Sequence, residues 1–162
     1  MIIEVGALAS PFALLGLDGH EYSLPGDLRG SPGVLVFFKS TCGTCDIAFP
    51  YLNRVRDMYP DGWSLWAIAQ DPPNRAGEYA RRFQITYPVL IDAPEYAVSK
   101  LYDPPATPTV FLVGPDGRIE YSTHGFAKDD LNELARRVAM HIGARAQTVA
   151  AAGDGQPDFR PG

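Results

Sequence analysis

The sequence predicts an α/β domain: a central mixed β-sheet flanked by helices on both faces, with an N-terminal β-hairpin. Three observations carry this reading. The runs Val34-Leu35-Val36-Phe37-Phe38 and, apart from Ser64, Trp63 to Ala69 are apolar at successive positions, as strands covered on both faces are. Apolar residues also recur at helical spacing, as Ala48, Tyr51, Leu52, Val55 and Met58, and again as Leu131, Leu134, Val138 and Ile142. Finally, the dipeptides Asp18-Gly19 and Asp116-Gly117 each stand between apolar runs, where a tight antiparallel turn needs them.

The elements follow in order. Phe12 to Leu24 folds about Asp18-Gly19 into the hairpin and ends in loops at Pro25-Gly26 and Gly30-Ser31-Pro32-Gly33. Val34 to Phe38 is a central strand. The helix after it ends before Pro60-Asp61-Gly62, and Pro50 inside it removes a backbone bond and predicts a kink. A second buried strand, Trp63 to Ala69, leads through Asp71-Pro72-Pro73-Asn74 to a short helix around Glu78 to Phe83. Val89-Leu90-Ile91 is a brief strand and Glu95 to Tyr102 a further helical turn or two. Thr109 to Val113 and Arg118 to Ser122 flank Gly114-Pro115-Asp116-Gly117 as an antiparallel pair, and the last helix closes the domain at residue 142. From Gly143 to Gly162 the chain turns to Ala, Gly, Gln and Pro without apolar periodicity, which predicts a mobile C-terminal tail behind a single domain of residues 1–142.

Composition narrows the function classes. With 162 residues the chain buries a core of ordinary size without staples. Its formal charge of −5, with scattered Lys and Arg, speaks against a nucleic-acid partner. No apolar run approaches the ~18 residues of a membrane span. Met1 to Gly6 carries Glu4 where a signal peptide would be basic. The chain as written is therefore expected in the cytoplasm, or outside it if a leader or anchor once preceded Met1.

Cys42-Gly43-Thr44-Cys45 lies between the first buried strand and the first helix, and it is the feature that points to chemistry. At the mouth of a helix two cysteines stand one turn apart, within reach of a disulfide and at the positive end of the backbone dipole. The free amides of the first turn favour a thiolate, so Cys42 is expected to have a depressed pKa and to attack disulfides. Cys45, a turn further in, would resolve the mixed disulfide by attacking Cys42. Other uses of the pair are weaker. A zinc site needs about four ligands, and His20, His124 and His141 form no ligand-spaced pair, so no metal is expected. Haem attachment needs a histidine where Asp46 stands. A purely structural disulfide closing so short a loop would constrain the unfolded chain little.

Strand, CxxC, proline-bearing helix, strand and helix, then Thr-Pro before a terminal β-β-α, is similar to the thioredoxin fold. Phe37-Phe38-Lys39-Ser40-Thr41-Cys42 through Phe49-Pro50-Tyr51-Leu52, the Asp71 loop, Tyr87-Pro88-Val89-Leu90-Ile91-Asp92 and Ala106-Thr107-Pro108-Thr109-Val110-Phe111-Leu112 resemble the TlpA/ResA-type branch of thioredoxin-like thiol-disulfide oxidoreductases, within the redoxins related to AhpC/TSA. The resemblance spans roughly residues 4 to 142. It implies that Cys42 is the nucleophile, Cys45 the resolving thiol and Pro108 a cis-proline facing them. It places Thr107, Pro108 and Thr41 against the substrate, with Thr107 offering its backbone to an extended peptide. It also implies no cofactor, disulfide-containing protein substrates, a thiol electron donor and a monomeric enzyme.

The chain departs from that family in informative ways. Val36 stands where thioredoxins carry a buried aspartate, and Ala48 where ResA-type proteins carry a glutamate, so both carboxylates that serve the Cys45 proton are missing. Thr41 replaces the tryptophan before the motif and Thr44 the proline inside it. Lys39 and Asp46 are the remaining nearby charges, and both are expected in solvent. Two other functions share the fold. A thiol peroxidase needs a Thr or Ser three residues before its reactive cysteine, where Lys39 precedes Cys42 and Cys42 itself precedes Cys45. A non-enzymatic redox-sensing or binding module would use the same dithiol only as a switch.

Overall fold

A computed structural model describes residues 1–162. Its centre is a five-stranded sheet of β3 (Gly33–Phe38), β4 (Ser64–Ala69), β5 (Val89–Ile91), β6 (Thr109–Val113) and β7 (Ile119–His124), in the order β5-β4-β3-β6-β7. β3, β4 and β5 run parallel, while β6 and β7 are antiparallel to their neighbours. This is the mixed sheet of a thioredoxin fold. Every residue of β3 is buried, as its unbroken apolar run requires of a strand at the middle of the sheet.

The pleat divides the core in two. Val34, Val36 and Phe38 point to the face covered by α1 (Gly43–Met58), α2 (Pro73–Arg82) and α4 (Lys128–Ile142). Leu35 and Phe37 point to the other, where α3 (Ala97–Tyr102) and the N-terminal hairpin β1 (Phe12–Leu15) and β2 (Glu21–Leu24) lie. The hairpin turns at Asp18-Gly19 as expected and forms a separate two-stranded sheet, attached to the edge of β5 by the Leu17 amide, which donates to the Val89 carbonyl at 2.9 Å. α1 continues as one helix through Pro50, whose ring is exposed. α2 starts earlier than the apolar pattern indicated, because Pro73 occupies its first turn, where a missing N–H removes no bond.

Register assembles the functional end. β6 runs antiparallel to β3 with Thr109 opposite Phe37, so the residues just before β6 arrive beside those just after β3. β7 returns with His124 opposite Thr109, which delivers Gly125 and the short strand β8 (Phe126–Ala127) to that same end.

Residues 143–162, expected as a mobile tail, pack back onto the domain. α4 ends at Gly143, which takes the left-handed φ of 69° that suits a helix C-terminus. The chain then buries Val149 and Ala150 and closes with β9 (Phe159–Arg160), antiparallel to β8. Composition pointed the other way because the anchors are polar groups on other elements. Asn132 Oδ1 accepts the amides of Val149 and Ala150, both at 2.9 Å, and its Nδ2 donates to the Ala150 carbonyl at 2.9 Å.

Phe38 connects the sheet to the site. It is fully buried, with ring centroids 5.0 Å from Phe49 on α1 and 5.1 Å from Tyr79 on α2. Phe38→Ala should lower unfolding free energy by about 3–5 kcal/mol, read from urea denaturation of the reduced protein; a loss under about 1 kcal/mol would mean that this cluster does not anchor α1.

Candidate active site

Cys42 begins α1 as its N-cap, with extended backbone (φ −96°, ψ 106°), and its sulfur accepts the Cys45 amide at 3.1 Å. A cap is a polar acceptor placed on the first unpaired amides of a helix, and here sulfur takes the part that Ser or Asp usually plays. The loop that aims it is tied down from β4. Buried Asp71 accepts the Ser40 amide and the Ser40 hydroxyl, each at 2.7 Å. Nothing in local periodicity marks Asp71 for this task, because its partner lies 31 residues away.

The two thiols are free and differ sharply. Cys42 is half-buried and its pKa is lowered to about 6, above all by the thiol of Cys45 donating to it, with the amides of Cys45 and Thr44 adding and partial burial opposing. Cys45 has no exposed surface, and burial followed by the neighbouring Cys42 pushes its thiol far above the usual range. One sulfur is thus a thiolate that solvent can reach, and the other a protonated thiol held in reserve beneath it.

The Thr107–Pro108 bond is cis, and Cys42 Sγ lies 3.2 Å from the Thr107 carbonyl across 65 residues of chain, a contact in which it donates only as the protonated thiol. The Pro108 carbonyl accepts the Gly125 amide at 2.8 Å, which joins this loop to the end of β7. Cys42, Cys45 and Thr107 are therefore together. Thr41 is exposed and lines a separate cleft of about 380 Å³ with Ser40, Arg75, Glu78, Tyr79 and Arg82, a set that includes neither Thr107 nor Pro108. Lys39 lies in solvent as expected. Asp46 does not: it is partly buried, and Tyr79 donates its hydroxyl to Asp46 Oδ1 at 3.0 Å. Sequence reasoning gave Tyr79 no role, since an aromatic on a helix reads as core, which it also is.

The geometry supplies a nucleophilic thiolate, a shielded second thiol and a backbone loop against the first sulfur. A model of the AhpC/TSA family matches residues 5–122. The chain belongs to the AhpC/TSA family. The thiol-disulfide oxidoreductase ResA of Geobacillus kaustophilus is 31% identical over 132 residues, which is 80% of this chain and 75% of that protein. ResA of Bacillus subtilis is 28% identical over 119 residues, or 72% of this chain and 65% of that one. Among solved structures, a protein of Chlorobium tepidum described as a candidate thiol:disulfide interchange protein DsbE superposes with a TM-score of 0.78 at 28% identity, over 87% of this chain and 99% of its own. A thiol-disulfide oxidoreductase from Bacteroides fragilis shares the fold with a TM-score of 0.71 at 19% identity, covering 82% and 99% of the two chains. This AhpC/TSA member is a thiol-disulfide oxidoreductase with a thioredoxin fold, and the peroxidase and switch-only readings are not favoured.

Because the fold lowers the Cys42 value, it favours the ionised form. Alkylation of the reduced protein should modify Cys42 before Cys45, with a rate that is half-maximal near pH 6 and falls about tenfold per unit below it. By linkage the shift also stabilises the reduced fold at pH values above the ordinary thiol range, an increment lost as pH falls through about 6. A midpoint near the ~8.5 of a free thiol, or Cys45 reacting first, would overturn the assignment.

Proposed function

We propose that this enzyme exchanges disulfides with partner proteins through a Cys42-linked intermediate, drawing on a thiol donor, and that its couple is more oxidising than that of thioredoxin. The observation that supports this best is the contrast between the half-buried thiolate of Cys42 and the buried, protonated thiol of Cys45.

The reaction balances in two steps. Cys42 thiolate attacks one sulfur of a substrate disulfide, forming an intermolecular S–S bond and releasing the other substrate sulfur as a thiolate. Cys45 then loses its proton and attacks Cys42, closing the Cys42–Cys45 disulfide and releasing the second substrate thiolate. Two electrons pass to the substrate, and a thiol donor returns them to the enzyme. Thr107 abuts Cys42 through its backbone and Pro108 follows it, so both are positioned to border an incoming peptide. Thr41 borders the neighbouring cleft instead.

Thr44 bears on the poise of the couple. Its amide helps to lower Cys42, whereas its hydroxyl is turned away and donates to the Pro161 carbonyl at 2.7 Å, so the donor added by losing proline is the N–H alone. A stabilised thiolate stabilises the reduced state, and ~30 mV of potential corresponds to about 1.4 kcal/mol. The second step is slow for a different reason. Ala48 offers no base, and the nearest acid in sequence, Asp46, already accepts from Tyr79.

Cys45→Ser should accumulate mixed disulfides on Cys42 that non-reducing gels resolve and dithiothreitol removes; failure to form any adduct with a disulfide-bearing protein would overturn the exchange reaction. Titration against glutathione should give a potential above the ~−270 mV of thioredoxin, and a value at or below it would remove the proposed poise. Ala48→Glu should accelerate release of the mixed disulfide by about tenfold or more if a missing base limits resolution.

A further inference from the structure

The last residues of the chain lie where a substrate would have to approach Cys42. β9 pairs with β8, with Phe159 opposite Ala127 and Arg160 opposite Phe126, and the Lys128 amide donates to the Asp158 carbonyl at 3.0 Å. Beyond the strand, the Pro161 carbonyl takes the hydroxyl of buried Thr44, inside the CxxC motif. Two glycines record how close the approach is. A methyl on Gly43 would stand 2.8 Å from an Arg160 guanidinium nitrogen, and one on Gly162 would stand 2.7 Å from the Thr107 carbonyl oxygen, the atom that meets Cys42 Sγ. Residues 160–162 therefore bridge the helix mouth and the Thr107 loop.

The segment is attached in two unequal ways. Val149 and Ala150 are buried and hold its root in the core. The outer part, residues 151–162, is exposed throughout, including Phe159 at 65%. It is held by the two-residue β8–β9 ladder, by the hydroxyls of Thr44 and Tyr51, which donate to the Pro161 carbonyl and to Asp154, and by Lys128, whose Nζ lies 2.7 Å from Asp154 and 3.4 Å from Asp158 and donates to the Ala151 carbonyl at 3.1 Å. Gly153 and Gly155, at φ 72° and 94°, supply backbone freedom between root and tip. Lys128 itself is buried in the first turn of α4, at the end of a helix that disfavours positive charge. Its aspartate partners on the returning segment compensate it there.

We propose that β8, Gly43–Thr44 and Ala106–Thr107 form a groove for an extended, disulfide-bearing peptide that would pair as a strand with β8, and that residues 157–162 occupy this groove as an intramolecular competitor. The proposal rests on the exchange function above. A substrate peptide gains the same backbone pairing that β9 now makes, so it binds only after the tip peels away about the glycines. Apparent affinity is then reduced by the fraction of molecules in which the groove is open.

The test uses the full-length protein and the double variant Asp158→Asn, Arg160→Pro, which loses one charge of the clasp, the guanidinium over Gly43 and a strand N–H, all at exposed positions. Reduced proteins are treated with iodoacetamide, with a maleimide carrying a polyethylene glycol chain, and with a peptide containing a disulfide. The variant should raise the bulky-maleimide rate and kcat/KM for the peptide disulfide by about fivefold or more, with iodoacetamide changed less than about twofold. A synthetic peptide of residues 156–162 should inhibit the variant more strongly than the parent. Equal rates in the two proteins, or slower exchange by the variant, would overturn the proposal. Inertness of both proteins towards the peptide disulfide alongside a faster bulky alkylation of the variant would instead refute the exchange function and uphold the competitor. If the variant melts at a lower temperature, Asp158→Asn alone provides the same comparison, and no rise in bulky alkylation there would overturn the proposal.

Discussion

The hydrogen bond from the Cys45 amide to the Cys42 sulfur, 3.1 Å long, is the contact that fixes the geometry of the dithiol. It makes Cys42 the cap of α1, and so holds one sulfur against the unpaired amides of the first turn. The same turn of helix carries Cys45 inward beneath Cys42, to a position with no exposed surface. Two identical side chains acquire opposite protonation preferences from a displacement of three residues.

That cap could not hold its place without the sheet behind it. β3 is buried along its whole length and ends immediately before the motif, and Phe38 at its tip packs between helices α1 and α2. Asp71 at the end of β4 fixes the intervening Ser40, and the antiparallel return of β6 brings Thr107 to the sulfur. Three loops from adjacent strands thus converge at one end. None of them contributes a carboxylate to Cys45, whose burial leaves it dependent on whatever accepts its proton during exchange.

The C-terminal segment shows a different way of building order. Apart from Val149 and Ala150 it buries little, and its attachment relies on polar groups satisfying one another. Lys128 illustrates the logic: burial and the dipole of α4 both oppose its charge, and the pairing with Asp154 and Asp158 offsets them. Polar contacts of this kind give a defined position with modest net stability, which suits a segment that must leave to let substrate in.

Hydrophobic patterning in the sequence by itself determined the sheet-and-helix order, because continuous apolar runs, helical periodicity and Asp-Gly turns are local consequences of burial and backbone sterics. It also marked Cys42 and Cys45 as a dithiol and raised the expectation that Cys42 is the reactive member, since the position of a residue at a helix mouth is local too. The partners of those residues were decided by the tertiary structure. Asp71 reads as one more loop aspartate, Asp46 as a solvated acid and Tyr79 as core, until the register of β3, β4 and α2 sets them beside the motif. The placement of the tail was hidden for the same reason. Periodicity reports whether a segment can bury its own apolar face, whereas residues 151–162 are positioned by Lys128, Thr44 and the open edge of β8, groups that only the folded chain brings within hydrogen-bonding distance.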